Sequence, residues 1–512
     1  MQLSEYQKAI EKAFLGGLDN TEPVYIQAVP GSAKSTTRRL IMGQMPESLH
    51  GKVVSVSFSR ATADQDKGKL PATLTSKTFH GLGYAALREK YSSIKSVTER
   101  KYQWWLDDAV IERRVPFKVQ KDWRTAVGNL INTVRHQYVD YREPANLEPF
   151  LDITTPFDAD EASDLMTDAL AWGKKKNDRG YIDFTDMLYW PVYMNLPLES
   201  PRYFFLDEGQ DTTPLQLRVL CRLVGEQTKC FVVGDENQAI YGFLGADEHA
   251  MQNIRTKLGV EDKHTFQLPI CYRCPTSHVE RINAIYPGVE SPPGQARGTF
   301  ENLRVYQLEE QLKFDPDALV ICRVNAALAD MAHRLMRQGI PVCMRGRGFS
   351  KDMMTLARRV LMVEEDIDWK SFLCGLQIYV EKKRESLLKK NAEEMELEAL
   401  DDRCLSLTSY YAAATEAGVA SLNQFQKFLE GIEDQTDSEQ KVKLSSIHGV
   451  KGDEHRRVYI LRPELLGSNP KARTEKDRKQ EKNLHYVAES RSQGYMAYVK
   501  ADALYAQTEF VL

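Results

Sequence analysis

A few short segments of this 512-residue chain carry side chains whose types and spacing could do chemistry together. The first is Ala28-Val29-Pro30-Gly31-Ser32-Ala33-Lys34-Ser35-Thr36. It follows the pattern G-x-x-x-x-G-K-[ST], in which backbone N–H groups wrap phosphates, the Lys reaches the outer phosphates and the hydroxyl holds Mg²⁺. Lys34 and Ser35 fit the pattern. Ala28 and Ala33 stand at its two glycine positions, and the methyl of Ala33 is expected to crowd the phosphates or resist the backbone angles of the loop. Taken alone, the segment is compatible with an ordinary turn.

The second segment is Asp207-Glu208, which follows the apolar run Tyr203-Phe204-Phe205-Leu206. At the C-terminal end of a strand, the Asp can bind Mg²⁺ directly or through water, and the next carboxylate can polarise an attacking water. The third is Val232-Val233-Gly234-Asp235-Glu236-Asn237-Gln238, where Gln238 can bond a γ-phosphate or the attacking water. Phosphoryl transfer also needs positive charge against the moving phosphoryl group, usually an arginine. Arg273 and Arg491 are candidates, although chemistry alone does not select them from the chain's other arginines.

These groups need a frame that holds them. Ser4 caps an expected helix carrying Tyr6, Ile10, Ala13 and Phe14 at helical spacing. Residues 23–28 form a short apolar strand that runs into the loop, and a helix opens near Lys34. Strand, glycine loop and helix together open a nucleotide-binding α/β domain. Residues 53–58, 203–206 and 230–233 supply further strands of a parallel sheet. Between about 85 and 185 the chain becomes helical and rich in Trp, Lys and Arg, as an insertion would. A second α/β region begins near 280, with a strand at 318–322 and a helix over 326–338. A charged helical stretch, about 366–439, interrupts it. Strands return at 442–445, 457–461 and 495–499. The pattern predicts two α/β domains, each with a helical insertion.

Composition sets outer limits. Apolar residues make up 42% and charged residues 27%, the balance of a soluble globular protein. No apolar run approaches the roughly 18–20 residues of a membrane span. The N-terminal residues show no secretory pattern, which sets the expectation of a cytoplasmic protein without membrane contact. A net charge of −4 does not advertise a nucleic-acid binder, but a cleft needs only a local positive field. Cys271-Tyr272-Arg273-Cys274 is formally C-x-x-C, yet no second Cys/His pair of finger spacing accompanies it.

In order and wording, the segments resemble the superfamily 1 helicases of the UvrD/Rep type. Leu3-Ser4-Glu5-Tyr6-Gln7 resembles their Q motif and Ala28–Thr36 motif I. Ser57-Phe58-Ser59-Arg60-Ala61-Thr62-Ala63 resembles motif Ia, and Thr78-Phe79-His80-Gly81-Leu82-Gly83 the T-F-H-S-F-G segment. Asp183-Phe184-Thr185-Asp186-Met187-Leu188 resembles D-F-x-D-L-L. Leu206-Asp207-Glu208-Gly209-Gln210-Asp211 is similar to motif II, and residues 233–243 to motif III. Tyr272-Arg273 matches the Y-R of motif IV. Ser446-Ile447-His448-Gly449-Val450-Lys451-Gly452-Asp453-Glu454 is similar to motif V, and residues 486–492 to motif VI.

The resemblance implies two RecA-like motor domains. The first spans 1–85 and 185–279, with a helical insertion at 86–184. The second spans 280–365 and 440–512, with a reduced insertion at 366–439. It implies ATP and Mg²⁺ as cofactors. Gln7 would recognise adenine and Tyr272 would stack on it. Residues 28–36 would cradle the phosphates, and Ser35 and Asp207 would hold the metal. Glu208 would be the base, Glu454 would touch the ribose, and Gln238, Arg273 and Arg491 would serve the γ-phosphate. Phe58, Arg60, Thr78, Phe79, His80, Tyr241, Phe243 and His448 would contact single-stranded DNA, with aromatic faces stacking on unpaired bases.

The implied activity is ATP-dependent 3′→5′ movement on single-stranded DNA with strand separation at duplex junctions. Replication or repair proteins would be partners, and the chain would act as a monomer or weak oligomer. Two readings compete with this one: a translocase that strips bound proteins with little unwinding, and a nucleic-acid-binding module whose ATPase is impaired by Ala33. Leu244 stands where the family often has Arg, which implies the loss of a DNA or coupling contact, and the short second insertion favours weak unwinding. The compact layout suits a phage or plasmid protein working in a host cytoplasm.

Overall fold

The computed structural model describes residues 3–57, 63–64, 66, 68–74, 76–91, 93–151, 155–242, 247, 249–345, 348–364, 367–389, 394–433, 440–467 and 474–500. The chain divides into two compact units. One is Met1–Val29 with Ala33–Leu268, and the other is Pro30–Ser32 with Pro269–Leu512.

The first unit is built on six parallel strands in the order β3-β2-β6-β7-β1-β8. They are β1 (Val24–Ala28), β2 (Val53–Val56), β3 (Ser76–Lys77), β6 (Tyr203–Leu206), β7 (Lys229–Gly234) and β8 (Thr265–Leu268). The residues of β6 and β7 are buried throughout, as expected for central parallel strands covered on both faces. Successive side chains alternate between two cores. Val24, Ile26, Tyr203, Phe205, Phe231 and Val233 face one core, shared with Ile10 and Phe14 of the first helix and Ile41 and Met42 of the helix after the phosphate loop. Tyr25, Phe204, Leu206, Cys230 and Val232 face the other. The first helix, Glu5–Leu15, starts where expected: Ser4 and Gln7 form a reciprocal capping box.

The second core extends without a break into the helical insertion. The helices Lys101–Glu112, Gln120–Gln137 and Ala159–Asp178 contribute Trp105, Leu106, Trp123, Val127, Leu130, Leu165 and Leu170 to it. A two-stranded parallel ladder, β4 (Ser96–Val97) with β5 (Tyr181–Ile182), closes the insertion. Four buried charges tie its helices to the helix Asp186–Tyr193. Arg135 pairs with Asp183 at 2.7 Å and Asp186 at 3.2 Å, and Lys101 pairs with Asp186. Trp190 Nε1 donates to Asp186 at 2.8 Å. Two cations and two carboxylates balance, which is what makes complete burial tolerable.

The second unit repeats the design with the order β11-β12-β10-β13-β14-β9, again all parallel. Its strands are β9 (Thr299–Arg304), β10 (Ala318–Cys322), β11 (Val342–Met344), β12 (Val442–Ser446), β13 (His455–Leu461) and β14 (Ser492–Lys500). Within 366–439, the helices Phe372–Lys389, Glu394–Glu416 and Leu422–Ile432 carry Phe372, Leu376, Leu407, Tyr410, Phe425 and Leu429. These residues share one core with Val320, Leu444, Tyr459 and Val499 of the sheet. These helices pack mainly on the helices Asn325–Arg337 and Phe349–Leu361.

Every strand expected from the sequence is present. Six more were not expected: β3, β8, β9 and β11 are the four sheet-edge strands, and β4 and β5 are the two-residue strands of the insertion's ladder.

Candidate functional site

In a parallel sheet, all strands end at one edge, and ligand-binding groups gather on the loops there. The register aligns the ends of three adjacent strands: Leu206 of β6 lies beside Val232 of β7, and Gly234 of β7 beside Gln27 of β1. The residues that follow these ends are the phosphate loop, Asp207-Glu208 and Asp235–Gln238. Segments about 170 residues apart in the chain thereby become neighbours.

The loop's backbone suits an anion. The helix Lys34–Gly43 opens at Ala33 with no side chain capping its first N–H groups. An uncapped helix N-terminus offers those groups and the positive end of the helix dipole to phosphate. Ser32 Oγ is buried without a hydrogen-bond partner. Gly31 has φ 65° and Ala33 φ 63°, both left-handed. The second of these is costly for alanine, and it is the angle that the pattern's glycine would supply.

Lys34 Nζ lies 3.3 Å from Glu208 Oε2. Burial works against its charge, but Glu208, Asp235 and Asp207 outweigh burial and hold the ammonium above its usual range. Ser35 Oγ donates to Asp207 Oδ2 at 2.8 Å. A hydroxyl and a carboxylate are hard oxygen donors of the kind Mg²⁺ takes, so these two residues fit the metal and would hold it. No group of three or more His, Cys, Asp or Glu able to hold a metal occurs among the described residues. Mg²⁺ bound with nucleotide needs only one or two protein ligands.

Asp207 is completely buried. Burial pushes its carboxyl upward, and Arg38, the largest opposing influence, pulls it back. Arg38 Nε lies 3.4 Å from Asp207 Oδ2, and Arg38 Nη2 lies 2.6 Å from Asp66 Oδ2. Arg38 also donates to Ser55 and Ser76. Glu208 adopts φ 52°, again left-handed. Strain at a carboxylate beside the phosphate loop is of the kind that concentrates at functional sites. Gln210 joins two segments: its Nε2 donates to Glu208 at 2.7 Å and its Oε1 accepts the Asp235 N–H at 2.9 Å. Asp235 accepts from Gln238 Nε2 at 2.6 Å and from the Asn237 N–H at 3.1 Å. Burial pushes Asp235 up to about 6, against the pull of Lys34.

Arg38, Asp66, Gln210 and Asp235 were not singled out from the sequence. Gln210 and Asp235 lie inside segments quoted there, so a polar residue next to the chemistry was the available signal. Arg38 and Asp66 meet only through the fold.

In the second unit, Arg273 pairs with Glu454 and donates to the Ser490 carbonyl at 3.2 Å. Glu454 also accepts from Gln493 at 2.9 Å. Tyr272 is half-buried. Arg491 is placed differently from the expectation of a residue reaching for phosphate. It is fully buried, and its guanidinium donates to Val487 O at 2.8 Å, Asp453 O at 3.1 Å and Ser490 Oγ at 2.7 Å. There it fastens the segment 453–454 to the end of the helix Glu475–Glu489. Reaching a phosphate requires exchanging those bonds.

Burial also bears on two further expectations. Phe79 is 3% exposed within the core of the first unit, so its ring faces are taken by packing and not offered to bases. Gln7 is 5% exposed; its Oε1 accepts from the Ser4 N–H and its Nε2 donates to Thr37 Oγ1 at 2.9 Å. Its amide serves the helix start and the helix that follows the loop.

Thr78 caps the helix Phe79–Lys90 by accepting the Gly81 N–H. His80 is half-buried, edge-on to Phe184, and burial and then His136 lower its pKa. Tyr241 is half-buried. His448 is held down to about 4, by burial first and then by Arg323 and Lys451, so it is a neutral ring at pH 7. Phe58, Arg60 and Phe243, with Leu244, lie outside the described residues.

Comparison with known proteins meets this geometry independently. Residues 18–259 match the UvrD/REP helicase N-terminal domain family, and residues 364–501 match the UvrD-like helicase C-terminal domain family. The chain is 26% identical over 256 residues to a protein of Mycobacterium tuberculosis named ATP-dependent DNA helicase UvrD2, covering 44% of this chain and 36% of that one. It is 22% identical over 264 residues to ATP-dependent DNA helicase Rep of Salmonella typhimurium, covering 44% and 36%. To ATP-dependent DNA helicase PcrA of Leuconostoc citreum it is 22% identical over 376 residues, covering 63% and 48%. The chain thus spans between about a third and a half of the length of these relatives.

Proposed function

The chain belongs to the UvrD/Rep-like superfamily 1 helicases, with two RecA-like α/β domains, and we propose that it is an ATP-driven motor on single-stranded DNA. One observation carries the reading: the aligned ends of β1, β6 and β7 gather Lys34, Ser35, Asp207, Glu208, Asp235 and Gln238.

The division of labour follows from the contacts. Lys34 holds the outer phosphates, its charge secured by three neighbouring carboxylates. Ser35 and Asp207 hold Mg²⁺, which when bound neutralises phosphate charge. Glu208 takes the proton of the attacking water. Its contact with Gln210 ties that carboxylate to Asp235 and Gln238, so a change at the γ-phosphate is felt along β7. Arg273 adds positive charge to the transferring group, Tyr272 stacks on the base and Glu454 takes the ribose. Thr78, His80, Tyr241 and His448, with Phe58, Arg60 and Phe243, form the strand-binding set. Movement is 3′→5′ and opens duplex junctions.

ATPase rate with and without single-stranded DNA or RNA, followed by strand displacement on 3′- and 5′-tailed duplexes, tests this. Stimulated ATPase abolished by Lys34→Ala, with displacement of 3′-tailed duplex, is expected. An unstimulated parent, or full activity in Lys34→Ala, rejects the motor. Stimulated ATPase without displacement selects the protein-stripping translocase, which the short second insertion favours. Nucleic-acid binding without any ATPase selects the impaired module that Ala33 at a glycine position favours.

A further inference from the structure

Cys271 and Cys274 enclose Tyr272 and Arg273, the two residues of the second unit given the base and the γ-phosphate above. Both thiols are free and fully buried. Cys271 Sγ accepts the Cys274 N–H at 3.4 Å, and the Cys274 side chain and the Arg273 N–H beside it favour its thiolate. Cys274 Sγ donates to the Ser490 carbonyl at 3.6 Å, the same oxygen that takes Arg273 Nη1. The pair is therefore wired to the arginine it flanks.

Its chemistry is unlike that of three other buried thiols. Burial pushes Cys230, Cys322 and Cys404 up to about 12, which leaves them inert. Cys271 is held down to about 7, first by its bond to Cys274 and despite burial. A depressed thiolate beside a second thiol two residues away is the arrangement that dithiol–disulfide couples use. A metal is not indicated, since no third ligand joins the pair among the described residues.

We propose that Cys271 and Cys274 are an oxidisable dithiol whose disulfide fixes Tyr272 and Arg273 and so makes the nucleotide site sensitive to peroxide. The proposal rests on the roles given to those two residues. The Cys271 thiolate attacks one oxygen of hydrogen peroxide; the O–O bond breaks, hydroxide leaves and takes a proton to become water. The resulting sulfenic acid is attacked by the Cys274 sulfur. The S–S bond forms, the S–O bond breaks, and a second water leaves with the Cys274 proton. The two thiols lose two electrons, and one peroxide becomes two waters. Two thiol equivalents reverse the change by exchange: the first opens the bridge as a mixed disulfide, and the second releases the protein thiol and leaves as the reductant's disulfide. Once bridged, Cys274 no longer donates to the Ser490 carbonyl, and Tyr272 and Arg273 sit in a small closed ring. Burial means that the thiols react through local opening, more slowly than the exposed Cys221 and Cys374.

The test uses the full chain treated with hydrogen peroxide until Cys374 is fully oxidised, and then held at that dose for hours. Remaining thiols are alkylated and the protein is mapped by mass spectrometry without reductant. A bridge between Cys271 and Cys274 is expected, with slowed amide exchange over 272–276. ATPase should fall about ten-fold or more, because an arginine at the γ-phosphate is worth ~10³–10⁵ in rate. Dithiothreitol should restore it. Cys271→Ser and Cys274→Ser should keep the reduced parent's ATPase and lose the peroxide response. Absence of the bridge, or a bridge that leaves both exchange and ATPase unchanged, overturns the proposal. A parent without ATPase that still forms the bridge and stiffens 272–276 supports the dithiol and rejects the motor reading.

Discussion

Arg38 is the place where the first unit is most exposed to a single change. Arg38→Met keeps the length and the apolar stem but removes the charge. The guanidinium is 0% exposed and lies between Asp66, 3% exposed, and Asp207, 0% exposed. At the 3.4 Å separation of Arg38 and Asp207, two unit charges at an effective dielectric near 20 attract by about 5 kcal/mol. Part of that repays desolvation, so the net cost of breaking a buried pair is about 3–5 kcal/mol. For a unit of this size, that lowers Tm by on the order of 10 °C.

Stability alone does not distinguish this account from a simple packing defect. Two further measurements do. Arg38→Met combined with Asp66→Asn removes one stranded carboxylate, and a double-mutant cycle should return at least ~1–2 kcal/mol of coupling. Arg38 is also the largest influence opposing the burial of Asp207's charge. Without it, Asp207 binds a proton more tightly, so the Mg²⁺ dependence of ATPase should shift to higher concentration and recover as pH is raised. An Arg38→Met protein that melts like the parent, or whose Mg²⁺ midpoint matches the parent's at every pH, refutes the reasoning.

Three other outcomes are expected. Asp235 is raised to about 6 by burial, so the stability it contributes is present in full below pH ~4 and is lost as pH rises through about 6, a change of about 3 kcal/mol. ATPase runs the other way, rising through the same midpoint as Asp235 becomes the acceptor for Gln238; Asp235→Asn should abolish both slopes, seen in urea unfolding and rate profiles from pH 4.5 to 8. Ala33→Gly removes the left-handed alanine; relief of ~1–2 kcal/mol less the ~0.4–1 kcal/mol entropy of glycine predicts about 0.5–1 kcal/mol of added stability, and a destabilised variant in urea unfolding rejects the strain. Lys101→Met strands Asp186 in the buried cluster and should cost about 3–5 kcal/mol, with proteolysis opening first within 86–184. Adding Asp186→Asn should recover much of that loss; no recovery would mean the charges were not the cause.

The sequence determined a good deal without help. Apolar runs such as Tyr203–Leu206 and Cys230–Val233 are buried on both faces, and full burial leaves an unbroken apolar signature. Lys34, Ser35, Asp207, Glu208 and Gln238 were legible because each directly follows such a strand or its loop. The edge strands β8 and β9 were not, since half-exposed strands keep polar residues and lose the run. Tertiary structure alone decided what the side chains touch. Phe79 and Gln7 read as ligand contacts and turned out to be packed and bonded within the fold. Arg38 met Asp66 and Asp207 only because strand register brought distant loops to one edge. Spacing along a chain encodes local conformation, whereas pairing between segments far apart is set by the sheet that joins them.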